Sequence, residues 1–115
     1  MRSLLIVAGA ALVLATAGSA MAPPKLAGTV LENFTITLKR GTTKVTTLKH
    51  GSYSFAITDS GTIHDFSLKG PGVNKHLTGV AFTGTKTMVV TLKAGTYTYY
   101  CSVHPTQIHH TFKVS

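Results

Sequence analysis

The chain has 115 residues, which fits one domain. Lys+Arg 11 stand against Asp+Glu 3, and there is a single cysteine. That excludes an internal disulfide framework and leaves little acid–base machinery for an enzyme. The lysines are dispersed, with no basic run interleaved with aromatics, so nucleic acid is not an expected partner.

In chain order, Arg2 precedes an apolar run from Leu4 to Ala15. This run is too short for a comfortable membrane span and has the layout of an export signal. Ala15-Thr16-Ala17 and Ala20-Met21-Ala22 both fit an A-x-A cleavage site. A proline at 23 hinders a cut after Ala22, so the site is open between Ala17 and Ala22. The expected organisation is a signal peptide at 1–22 and one domain at 23–115, the alternative being a retained anchor. No cysteine lies in this segment, so a lipoprotein signal is excluded. The expected location is periplasmic, extracellular or at the cell envelope, and the mature chain, monomeric and without a membrane span, keeps a net charge of +7 once Arg2 is lost.

Past Pro23-Pro24-Lys25 the pattern has a period of two. Phe34, Ile36 and Leu38 alternate with Thr35, Thr37 and Lys39. Val45 to Leu48 is a shorter run, and Tyr53, Phe55 and Ile57 alternate with polar or small residues. Thr62 to Leu68 reads as a strand with His64, Phe66 and Leu68 on one face. Gly70-Pro71-Gly72 is a turn. Val73 to Gly79 reads as a loop holding one helical turn, and Val80 to Phe82 as a short strand. Met88, Val90 and Leu92 alternate, then Tyr97, Tyr99 and Cys101, then Phe112 and Val114. Short strands with Gly-rich turns predict an all-β sandwich or barrel. Thr47 to Tyr53 echoes Thr91 to Tyr97, which predicts similar corners in two layers.

A lone thiol in an oxidising compartment pairs between chains, lies inert in the core, or binds a metal. Cys101-Ser102-Val103-His104 has C-x2-H spacing at the end of a strand, and His64 lies on an inward face upstream. His64, Cys101 and His104 together offer two imidazoles and a thiolate. That set suits copper in a trigonal site, and it would also accept zinc with a further ligand.

The run Tyr97-Thr98-Tyr99-Tyr100-Cys101-Ser102-Val103-His104-Pro105, with Ser60-Gly61-Thr62-Ile63-His64-Asp65-Phe66 upstream, resembles the cupredoxins of the plastocyanin/azurin type. The resemblance implies a Greek-key β-sandwich with one type 1 copper (Cu+/Cu2+) at one end. It implies His64, Cys101 and His104 as equatorial ligands, and a protein that passes one electron between redox partners. The family commonly places methionine after the second histidine, and here none follows. Aligned back from the last strand, Ile108 takes that position and leaves copper without an axial donor. Counted forward the position is His109, and Gln107 is within reach. Strand register favours Ile108. Asp65 stands where the family usually carries asparagine, and it could accept from the Ser102 hydroxyl while its N–H points at the thiolate. Tyr97, Tyr99 and Phe66 are expected to pack beneath the metal. His50 and His76 receive no role, and His109 and His110 read as solvent-facing rim residues.

The leading reading is therefore an exported copper electron carrier with redox-protein partners, acidic ones being favoured by the net charge. A copper storage or delivery protein shares the ligands. A metal-free immunoglobulin-like binding module shares only the fold class.

Overall fold

The computed structural model describes residues 21–115. The expected signal peptide at 1–22 falls almost wholly on residues 1–20, outside the described residues. The rest is all β. The strands are β1 (Lys25–Leu31), β2 (Thr35–Arg40), β3 (Thr43–Lys44), β4 (Thr47–Leu48), β5 (Gly51–Asp59), β6 (Phe66–Gly70), β7 (Val73–Thr78), β8 (Gly84–Leu92), β9 (Gly95–Tyr100) and β10 (His109–Val114). They form two sheets, ordered β3-β2-β1-β5-β8 and β4-β10-β9-β6-β7. The chain crosses between the sheets after β3, β4, β5, β7, β8, giving the connectivity of a Greek-key sandwich. Two pairings are parallel, β1 with β5 and β4 with β10.

Alternation explains the core. Leu26 and Val30 of β1, Ile36 and Leu38 of β2, Phe55 and Ile57 of β5, and Leu68, Tyr97, Tyr99 and Phe112 of the other sheet are all buried. Each large aliphatic or aromatic side chain so buried contributes roughly 1.5–3 kcal/mol. Phe66 stacks on Tyr99 with ring centroids 5.6 Å apart, and Tyr97 on Phe112 at 5.5 Å.

The echo between residues 47–53 and 91–97 is a shared corner. Gly51 and Gly95 both adopt φ 144, which costs a side chain-bearing residue dearly and glycine little. Beyond each glycine a tyrosine hydroxyl turns back four residues. Tyr53 donates to the Lys49 carbonyl at 2.7 Å, and Tyr97 to the Lys93 carbonyl at 2.9 Å. The two corners tie one sheet to the other at the end away from Cys101.

Four local expectations are corrected. Residues 73–78 are strand β7 rather than a loop with a helical turn, because Val73 and Leu77 find the core and the segment pairs with β6. Residues 80–82 form a turn closed by Phe82 N–H on the Gly79 carbonyl (3.0 Å), not a strand. Phe34 lies outside β2, in a turn, at φ 65. His64 precedes β6 instead of lying on it, since Ser60 N–H and Gly61 N–H are drawn back to the Val30 carbonyl and the Asp59 carboxylate.

Candidate metal centre

Two connections carry the predicted residues. The first runs from β5 to β6 and holds His64. Its start is fixed by Asp59, which is 1% exposed and accepts from Gly61 N–H (3.3 Å) and the Thr78 hydroxyl (3.0 Å). Thr78 in turn accepts from Phe66 N–H at 3.0 Å, so the first residue of β6 is pinned too. Burial, partly offset by these hydrogen bonds, raises the Asp59 pKa. A register shift between Phe66 and Ser67 gives β7 one extra residue, Leu77, and this bulge places Thr78 opposite Phe66 while His76 stays opposite Ser67.

The second connection runs from β9 to β10 and closes on itself. Cys101 N–H donates to the Ile108 carbonyl (3.1 Å), His104 N–H to the Cys101 carbonyl (3.2 Å), and Ile108 N–H to the His104 carbonyl (3.0 Å). The C-x2-H spacing is thus one turn, which brings the imidazole back over the sulfur.

The predicted three converge. Cys101 Sγ lies 3.6 Å from His64 Nδ1 and 3.8 Å from His104 Nδ1, and the two Nδ1 atoms are 3.1 Å apart. Three donors placed roughly 2.0–2.3 Å from one ion, at angles between about 100° and 120°, would lie roughly 3.1–3.8 Å apart. The donor set and its spacing fit one metal ion. Cys101 and His64 are buried, and His104 is partly exposed.

The two connections are bound together by Asp65. Its carboxylate accepts from Ser102 N–H (2.7 Å) and the Ser102 hydroxyl (2.5 Å), while its own N–H donates to Cys101 Sγ (3.5 Å). That is the bridge expected from the sequence. His76, which sequence reasoning left without a role, stands behind it. Its Nδ1 is 3.3 Å from the Asp65 carboxylate and 2.7 Å from the Ser67 hydroxyl. Phe34 was also missed. Its ring packs edge-on against His64 (4.6 Å) and His104 (4.8 Å). Neither residue betrays itself in a period of two, because His76 ends a run of three exposed polar residues and Phe34 sits in a turn.

Of the three candidates for the axial position, Ile108 is buried, whereas Gln107 and His109 are exposed. His109 pairs with Tyr100 at the start of β10 and is not one of the converging donors. His110 is exposed beside it. Partial burial, then the charges of Lys44 and His109, lower its pKa. His50 lies far from the cysteine and bonds the Ser115 carbonyl through Nδ1 (3.0 Å).

No protein-family model matches the chain, and no curated protein matches it. Solved structures do. The copper protein rusticyanin superposes with a TM-score of 0.55 at 18% identity, covering 79% of this chain and 76% of its own. Auracyanin A, a "blue" copper protein of Chloroflexus aurantiacus, gives 0.56 at 14%, covering 82% of this chain and 100% of its own. The chain has the cupredoxin fold. A variant of amicyanin in its oxidised form also matches, with a TM-score of 0.50 at 17% identity, covering 83% and 86%. In this cupredoxin sandwich the converging imidazoles and sulfur occupy the end built from residues 32–34, 60–65 and 101–108.

Proposed function

We propose that the chain is an exported mononuclear copper protein that carries one electron between redox partners, with His64, Cys101 and His104 as the ligands of one copper ion. The observation that carries this reading is the convergence of two Nδ1 atoms and one sulfur within a few ångströms, on connections braced from both sides. Copper, when bound, supplies a one-electron couple between Cu+ and Cu2+. Every other part of the task falls to the chain. The Cys101 thiolate and the imidazoles offer soft and borderline donors that suit both oxidation states. The closed 101–108 turn and the Asp65 bridge resist rearrangement as charge changes. The partly exposed His104 offers the short route between the interior and a partner.

The sulfur accepts the Asp65 N–H, which disperses thiolate charge. The Asp65 carboxylate, one bond network away, favours the more positive oxidation state. Ile108 acts in the opposite direction by offering no donor. Around the site the exposed apolar side chains Phe34, Ile63 and Val103 give a partner a surface from which water is easily displaced. A partner's acidity is favoured by the net charge of the whole protein, and although the loops at this end contain no Lys or Arg of their own, Lys69 and Lys86 stand beside the apolar rim. Export is supported by the Arg2-to-Ala22 layout.

Storage or delivery drew its support from the His109-His110 pair, and both lie exposed on β10, apart from the converging donors. Voltammetry of the copper-loaded protein separates the two readings. The electron carrier predicts a reversible one-electron wave, and tight Cu+ binding with no reversible wave would contradict it.

A further inference from the structure

We propose that Phe34 is a positioning residue for both histidines: its ring, locked over the site by a left-handed backbone, holds the His64 and His104 rings so that both Nδ1 atoms face Cys101. This rests on the metal-ligand reading above only for the identity of what the rings hold.

The backbone gives the first observation. Among the described residues Phe34 is the one non-glycine residue with positive φ, at 65. Bulky side chains avoid that region, while asparagine tolerates it. Asn33 is the adjacent residue, yet the turn closed by Phe34 N–H on the Leu31 carbonyl (3.2 Å) places the aromatic residue at the costly position. Such outliers persist where the surroundings over-determine them, and they cluster at functional sites.

Burial does not explain the choice. Phe34 is 45% exposed and lies outside the core. Its ring packs against the two imidazoles, at 4.6 and 4.8 Å, with interplanar angles of 73° and 65°. The imidazoles meet each other in the same manner, 4.8 Å apart at 74°, so the three rings form a closed triangle of edge-to-face contacts.

His64 gives the third observation. A ligating histidine is usually oriented by a hydrogen bond from its other ring nitrogen. Here His64 Nε2 is buried and finds no hydrogen-bond partner among the described residues. Ring packing is what remains to fix its rotation, and Phe34 is the ring that touches both imidazoles.

The test compares wild type with Phe34→Gly, Phe34→Leu and Phe34→Tyr, all metal-free, by NMR relaxation of the His64 and His104 rings and by thermal unfolding. Glycine accepts the backbone angle without strain, so F34G is expected to keep its thermal midpoint. Its imidazole order parameters are expected to fall from the rigid range to below about 0.6. F34Y is expected to restore them. Rings in F34G as rigid as in wild type would overturn the proposal. So would a loss of ring order matched by a fall in midpoint that F34L shares, since Phe34 would then serve the fold alone. A wild-type chain that takes up no copper would contradict the function proposed above, while the ring-order comparison would still decide this one.

Discussion

If His64, Cys101 and His104 hold copper as proposed, Ile108 is the residue on which its redox character turns. Buried beside the His104 turn, it offers an alkyl group where a thioether would serve as a weak donor to the oxidised ion. Copper-loaded Ile108→Met is therefore expected to have a lower midpoint potential than wild type, and voltammetry of the pair checks it. Asp65 is the second such residue. Asp65→Ala removes the acceptor of both Ser102 donors and is expected to cost about 1–3 kcal/mol of metal-free stability, read from denaturant midpoints. Asp65→Asn keeps an acceptor oxygen but removes the charge, so it is expected to cost less and to raise the potential. The convergence of His64, Cys101 and His104 was legible in the sequence from donor chemistry and spacing, and the contact of Asp65 with Ser102 from the resemblance. Phe34 and His76 were not. A left-handed turn residue reads as one more apolar position in an alternating run, and His76 is one of three consecutive exposed polar residues whose place opposite Ser67 only the β6–β7 ladder reveals.

At the scale of elements, alternation located most strands, and it failed where one face is not apolar. β7 has its buried residues at both ends and three polar ones between, so no period announces it. The corners were easier to read, since glycine and tyrosine recur at the same offset. Tyr97→Phe is expected to cost about 1–3 kcal/mol, because the Lys93 N–H (2.8 Å) and carbonyl both lose a partner. Gly70→Ala tests the packing against the same ring: a Cβ there would lie 2.2 Å from Tyr97 Cδ2, and the hydroxyl's anchorage keeps the ring from yielding. The β5 end carries a pH signature. The Asp59 pKa is raised by burial above its ordinary 3.8, so the folded state holds this proton more tightly than the unfolded chain. Its contribution to stability is fully present below that ordinary value and is lost as pH rises through the raised one. Wild type is thus expected to gain stability relative to Asp59→Asn on acidification from neutral pH, and urea midpoints at two pH values would show it.

For the whole molecule, the loops at the two ends of the strands differ in charge. The loops at the site end, 32–34, 60–65, 79–83 and 101–108, contain no Lys or Arg. They hold Glu32 and Asp65, and Asp59 ends the adjoining strand. Arg40, Lys49 and Lys93 lie at the opposite end, about 20 Å away for a six-residue strand. At physiological ionic strength the screening length is about 8 Å, so those cations contribute little at the site, whereas Lys86, with Nζ 4.5 Å from the Phe82 ring centroid, and Lys69, 4.8 Å from that of Tyr100, remain close to it. At low salt an anionic oxidant is expected to react faster than a cationic one of equal potential, and by about 0.15 M that preference should shrink to what Lys69 and Lys86 supply. Stopped-flow rates across a salt series would read it. The central claim is that His64, Cys101 and His104 hold one copper ion, and the most direct test is optical titration of the metal-free protein with Cu2+, beside Cys101→Ser. The account predicts an intense visible thiolate-to-copper band that saturates at one ion per chain and is absent from the variant. A colourless titration, or a band that survives loss of the sulfur, would contradict it.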